Sequence, residues 1–385
     1  MTQQNKPILR FKNFSDDWEQ RKLKSLVKRI TRKNKNLESN LPLTISAQHG
    51  LVDQITFFNK QVASKDVSGY YLVKKGEFAY NKSYSSGYPW GAIKRLDNYD
   101  KGVLSTLYIV FKPIDIASDF LVSYYDTTFW YKEVSMRAAE GARNHGLLNI
   151  SAQDFFETEL VTPTQPEEQE KIGAFFKQLD NTIALHLCKQ RQLGLLKQRL
   201  IKEILPQSDS TLPHLRFANF RKPWEQHQLK EVLKVNSGRD YKHLNEGNIP
   251  VYGTGGYMLS VDGKLSDVDG IGLGRKGTID KPQYLKAPFW TVDTLFYLTP
   301  SPNYDIYFLY TLIQNVNWKS MDESTGVPSL SKSVIERVTL TFPILEEQQK
   351  IGSFFREFDN TISLHQQKIA HLKALKSTIL NKMFI

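Results

Sequence analysis

The stretches of this chain that could host chemistry are short and rich in glycine. Tyr252-Gly253-Thr254-Gly255-Gly256 has the glycine density of a cofactor-binding turn. It is not followed by the helix such a turn must open, so a strand-connecting loop is expected. Gly272-Leu273-Gly274-Arg275-Lys276-Gly277 lacks the Lys-Ser/Thr ending of a phosphate loop. Asp262-Gly263-Lys264 has the Asp-x-Lys spacing of a nuclease, but no paired acid precedes it. Methyl transfer to adenine needs an Asn/Asp-Pro-Pro-aromatic motif to hold the base, and the chain contains no Pro-Pro pair. The 8 histidines show no metal-ligand spacing, and His186 and His365 read as interface or surface positions. A single cysteine, Cys188, excludes an internal disulfide and a cysteine-based metal site. The expectation is a binding protein without a catalytic site, metal or cofactor of its own.

The partner is suggested by charge. The chain of 385 residues carries a formal net charge of +11, which favours a polyanion. Lys28, Arg29, Arg32, Lys33 and Lys35 lie in one run without an acid, either facing that polyanion or forming a solvated helix end. No apolar run is long enough to span a bilayer and no secretory segment is evident, so a cytoplasmic protein without a membrane partner is expected.

Two elements that would position these loops occur twice. Residues 7–28 recur as 213–234 with 12 of 22 positions identical, and residues 167–186 recur as 346–365 with 14 of 20 identical. The first offset is 206 residues and the second 179, so the intervening material differs in length while the frame is kept. The second element reads as a long helix in both copies. Pro163 and Pro166, or Pro343, precede an acidic pair, and this is a helix start. Ile172, Phe175/Phe176, Leu179, Ile183, Leu187, Leu193, Leu196 and Leu200 then form one apolar stripe. Ile351, Phe354/Phe355, Phe358, Ile362, Ile369, Leu372, Leu375 and Ile379 form the other. Each helix should run roughly 55–60 Å, and the best partner for such a stripe is the other copy, in an antiparallel coiled coil.

Between the frame elements lie two unlike modules, residues 29–145 and 235–325, with short strand patterns and glycine turns. Ala117–Val134 and Tyr304–Val316 each read as one amphipathic helix. The fold class expected is α+β, with two globular modules joined by the two helices in an internal pseudo-twofold repeat. The domain divisions are 1–162, a first module with its repeat segment; 163–205, a central helix; 206–342, a second module with its repeat segment; and 343–385, a C-terminal helix.

Leu9-Arg10-Phe11 through Trp18-Glu19-Gln20 has a twin in Leu215-Arg216-Phe217 through Trp224-Glu225-Gln226. Glu167 through Ile183 has a twin in Glu346 through Ile362. With these motifs, and with Lys74–Ile93, Gly272–Thr278 and Pro288–Leu298 between them, the whole chain resembles the specificity subunit of type I restriction–modification systems. The resemblance implies that the modules are target recognition domains reading a bipartite, asymmetric site in double-stranded DNA, one half each. It implies docking of two modification (methyltransferase) subunits and of restriction (translocase/nuclease) subunits. S-adenosylmethionine, ATP and Mg would be held by those partners.

Reading DNA requires side chains that reach base edges from loops fixed by phosphate contacts. In the first module the candidates are Lys82, Ser83, Tyr84, Arg137, Arg143, Asn144 and His145; in the second they are Tyr252, Thr254, Arg275, Lys276, Ser324 and Thr325. Candidates for subunit docking lie in the duplicated helix motif: Phe175, Phe176, Asp180 and Asn181, with their twins Phe354, Phe355, Asp359 and Asn360. Two other readings compete, a stand-alone DNA-modifying enzyme and a coiled-coil scaffold with no role on DNA. The missing Pro-Pro motif weighs against the first, and the basic excess against the second.

Overall fold

The computed structural model describes residues 6–85, 87–138, 148–206 and 210–385. Two compact units emerge, Met1–Leu185 with Ile369–Ile385 and His186–Lys368. Two helices of 39 residues, Pro166–Ile204 and Leu345–Met383, each contribute one part to each unit. Their starts follow the expected chemistry, with Glu167 and Glu168, or Glu346 and Glu347, in the first turn, where exposed N–H groups favour negative charge.

The first unit contains β1 (Glu19–Lys22), β2 (Val27–Ile30), β3 (Leu43–Ser46), β4 (Gly50–Asp53), β5 (Tyr71–Lys74), β6 (Phe78–Asn81), β7 (Ala92–Arg95), β8 (Lys101–Leu104), β9 (Ile109–Pro113) and β10 (Glu159–Thr162). A sheet of order β2-β9-β6-β7 forms its centre, and β1 pairs antiparallel with β10, closing the ends of the module. The core is aromatic: Phe78 stacks on Phe111 at 5.4 Å and Tyr80 on Phe155 at 4.8 Å. The single helix expected over 117–134 is two helices, Ser118–Tyr125 and Phe129–Arg137. The break falls at Asp126, whose carboxylate is taken by Lys94 and Lys376, and at Thr127, whose hydroxyl donates to the Tyr124 carbonyl. The basic run at 28–35 is not a helix end. It begins in β2, Arg32 pairs with Glu77, and Lys33 donates to the Gly69 carbonyl.

The second unit contains β11 (Glu225–Gln228), β12 (Leu233–Ser237), β13 (Glu246–Gly253), β14 (Gly256–Val261), β15 (Gly270–Gly274), β16 (Gln283–Leu285), β17 (Trp290–Thr291), β18 (Leu295–Pro300) and β19 (Thr339–Phe342). Its sheets are β12-β18-β15-β16 and β14-β13-β17, while β11 pairs with β19 as β1 does with β10. The helix expected over 304–316 is present as Ile306–Gln314.

Within each unit the two long helices run antiparallel. In the first, Ile183 packs with Ile369 and Leu372, and further along Asp180 meets Lys376 and Phe176 meets Phe384. In the second, His186 meets His365, Lys197 meets Asp359, and Ile201 joins a core with Phe355 and Ile351. The expected stripe is incomplete. Leu187 and Leu196 are 44% and 46% exposed and Ile362 is only partly covered, whereas Lys197 is 9% exposed. The seam between the helices is partly ionic, so apolar periodicity alone does not locate it.

Candidate functional site

The duplicated motifs turn out to be two copies of one set of joints between a module and its helix. Arg10 grips the fully buried carboxylate of Glu168 with two hydrogen bonds of 2.6 and 2.7 Å; Arg216 grips Glu347 with two of 2.7 Å. A forked guanidinium matches a carboxylate in this way, and Lys could not. The Gln169 side chain accepts from the Ala117 N–H and donates to the Pro163 carbonyl, tying the start of the long helix to the start of a module helix. Gln348 does the same with Asp305 and Pro343. At Gly173 a Cβ would lie 2.6 Å from the Phe120 backbone nitrogen, and at Gly352 it would lie 3.0 Å from that of Phe308 and closer to the Asp305 carboxylate. Only glycine lets the two helices approach so closely. Lys171 lies over the Phe14 ring and Lys350 over the Phe220 ring.

These joints decide the fate of the docking candidates. Phe176 and Phe355 are 1% and 0% exposed, each in the core of its own unit, and present no surface. Phe175 and Phe354 set their ring edges against Phe11 and Phe217. Asp180 is bound by Lys376 at 2.7 and 2.8 Å, and Asp359 by Lys197 at 2.6 and 2.7 Å with the Tyr307 hydroxyl at 2.7 Å. Asn181 and Asn360 are exposed. The most exposed large apolar residues of the duplicated helix segment are instead Leu185, 68% exposed, and its twin Leu364, 66% exposed. Sequence reasoning missed them because an apolar residue off the stripe is indistinguishable from an incidental one.

In the second unit the candidate loops converge. Gln283 of β16 donates to the carbonyls of Gly253 and Thr254 at 2.9 and 3.2 Å, bracing the hairpin tip of β13 and β14. Lys276 pairs with Ser329, the Gly277 N–H donates to the Pro328 carbonyl at 2.8 Å, and the Leu330 N–H donates to the Arg275 carbonyl at 3.0 Å. The loop carrying Ser324 and Thr325 is thereby fastened beside Arg275 and Lys276. Asp322 organises that loop by accepting from the N–H groups of Ser329 and Ser324 and the Ser324 hydroxyl, which hold its carboxyl below the ordinary value. Tyr252 and Thr254 are half-buried, while Arg275, Lys276 and Thr325 are exposed. The arrangement is a patch of glycine-rich backbone carrying cations, able to meet an anionic surface closely. Tyr257 and Met258, at the hairpin tip, belong to the same patch and were not singled out from sequence.

The first unit is less complete. The Leu148 N–H donates to the Lys82 carbonyl at 2.9 Å, and Lys82 Nζ donates to the Ile150 carbonyl at 3.2 Å, so Lys82 braces a loop. The Ser83 N–H is held by Asn81, and Tyr84 is 52% exposed. Arg137 ends its helix in an ion pair with Glu133, which also accepts from the Glu159 N–H. Arg143, Asn144 and His145 lie outside the described residues. Among the described residues no three His, Cys, Asp or Glu side chains are placed to hold a metal. Lys264 is paired with Asp267, and Asp262 with Asn245. No helix among the described residues is long and apolar enough to cross a membrane.

The chain is α+β, with one joint made twice and two unlike modules set on it. Residues 221–374 match the family described as the type I restriction modification DNA specificity domain. An 81-residue stretch is 32% identical to the type I restriction enzyme MjaVIII specificity subunit of Methanocaldococcus jannaschii, covering 21% of this chain. That match spans about a fifth, 19%, of the length of the curated relative. The fold is similar to that of a type I restriction–modification S subunit from M. genitalium, with a TM-score of 0.71 and 18% identity over 99% of both chains. It is also similar to a chain solved in work on assembly and conformational transition of the type I system, with a TM-score of 0.51 and 17% identity over 95% of this chain and 97% of that one. Residues 221–374 thus match that domain family, and the chain as a whole shares the fold of a solved type I restriction–modification S subunit.

Proposed function

We propose that this chain reads a bipartite, asymmetric sequence in double-stranded DNA, one half per module, on behalf of a type I methyltransferase and endonuclease complex, and that it performs no chemistry itself. The observation that carries this reading is the contrast between frame and modules. The joints of Arg10 with Glu168 and Arg216 with Glu347 are repeated nearly atom for atom, while the loops they support differ. Such a design keeps one assembly and varies what is read. Tyr252, Thr254, Arg275, Lys276, Ser324 and Thr325 would contact one half-site; Lys82, Ser83, Tyr84 and Arg137, with Arg143, Asn144 and His145, would contact the other. Arg matches guanine bidentately and Asn adenine, while Lys serves phosphates. S-adenosylmethionine, ATP and Mg would sit in the modification and restriction subunits.

Two modification subunits would dock on the repeated surface, since a partner that accepts every specificity must avoid the modules. Exposed Leu185 and Leu364, with Asn181 and Asn360, offer one equivalent place in each unit. The deciding experiment maps N6-methyladenine across a genome in cells carrying this chain and its modification subunit. A split motif is expected, and exchanging residues 235–325 for another member's module should change one half of it only. Methylation by this chain alone, or no sequence dependence, would refute the reading.

A further inference from the structure

In the recognition patch of the second unit, two large apolar side chains face solvent at a stiffened tip. Tyr257 and Met258 are 63% and 49% exposed, directly after the Gly255-Gly256 turn. Gln283 clamps the backbone of the turn, and Val251 and Tyr252 are held from the other side by Trp290 and Thr291 of β17. The Tyr252 ring stands edge-on to Tyr257 at 6.5 Å, and the Tyr257 hydroxyl shares a hydrogen bond with Ser260. At Gly253 a Cβ would lie 2.8 Å from the Met258 sulfur, so glycine there makes room for the thioether. Residues 247–261 contain no acid. The neighbouring turn, where a Cβ at Gly277 would lie 4.0 Å from the Thr254 hydroxyl, carries exposed Arg275 and Lys276. A rigid aromatic and thioether tip beside cations suits a duplex better than a protein. The exposed cations beside it match the charge of a duplex backbone.

Building on the DNA reading above, we propose that Tyr257 and Met258 act as a wedge. They enter between two stacked base pairs of the half-site read by this unit, while Arg275 and Lys276 hold adjacent phosphates. Inserting apolar side chains unstacks and kinks a duplex, at a free-energy cost that depends on the step. Flexible pyrimidine–purine steps lower that cost, so the wedge selects for deformability at bases it does not hydrogen-bond.

The test uses the full chain with its modification subunits on its mapped target, with 2-aminopurine placed at successive positions away from the methylated adenines. Wild type should raise the fluorescence at one step of the half-site. Tyr257→Ala with Met258→Ala should abolish that rise and weaken binding on the order of tenfold, with Tyr257→Phe retaining most of both. Both positions are exposed, and an unchanged thermal unfolding curve would show the variant folded. Arg275→Ala should weaken binding and flatten its salt dependence while leaving the rise at saturation. No rise with wild type, or equal binding by the double variant, overturns the wedge. If Arg275→Ala still weakens binding in that case, the DNA reading stands without it. Absence of sequence-specific binding by the wild-type complex would sink both.

Discussion

Replacing Arg216 with Met should cost the second unit about 2–4 kcal/mol at pH 7 while leaving its packing almost intact. Arg216 is 15% exposed, and the Glu347 side chain it grips is 0% exposed. Removing the cation strands a buried carboxylate, a change that typically costs 3–5 kcal/mol. One feature moderates it: Glu347 lies in the first turn of its helix, where the dipole returns roughly 0.3–1 kcal/mol. Substituting both partners with Met should restore most of the loss, since a well-packed apolar pair avoids the desolvation of two charges. Urea unfolding at pH 7, with hydrogen exchange assigning the transition to the second unit, measures this. A loss below about 1 kcal/mol would mean that water reaches Glu347 and that the joint is not a buried ion pair. Arg10→Met repeats the experiment on Glu168 in the first unit.

Asp126 adds a pH dependence of its own: burial raises its carboxyl pKa, but Lys94 and Lys376 outweigh burial and hold it below the ordinary value. Its stabilisation should be complete above the unfolded value of about 3.9 and be lost as pH falls below it, so Asp126→Asn should flatten the acid limb of the stability curve. Ile183→Lys places a charge among Ile369 and Leu372 and should lower stability by about 3 kcal/mol or more, whereas Leu187→Lys at an exposed site should stay within about 0.5 kcal/mol; equal effects would refute the seam. Leu185→Asp with Leu364→Asp should leave melting unchanged but reduce recovery of modification subunits in co-purification, and full recovery would move the docking surface elsewhere.

The sequence alone was enough for the architecture, because duplication records which contacts must be made twice. Twelve identities around Arg10 and Trp18, and fourteen around Glu168 and Gly173, mark the residues that form the joints, and the long helices begin where proline and acid pairs place them. Periodicity marks an apolar face but cannot say what covers it. For that reason Phe176 and Phe355 read as docking residues yet are core, Leu187 and Leu196 read as seam yet are exposed, and Lys197 enters the seam because Asp359 waits there. The helix expected through Asp126 ends there, where Lys376, 250 residues away, binds that carboxylate. The candidate patch of the second unit was legible only as separate loops. Bringing Thr254, Arg275 and Ser324 together depends on Gln283, Ser329 and Asp322, polar residues whose hydrogen bonds join distant turns. A polar side chain in a loop has no periodic signature. Its partner is set by how the strands stack, and only the tertiary structure decides that.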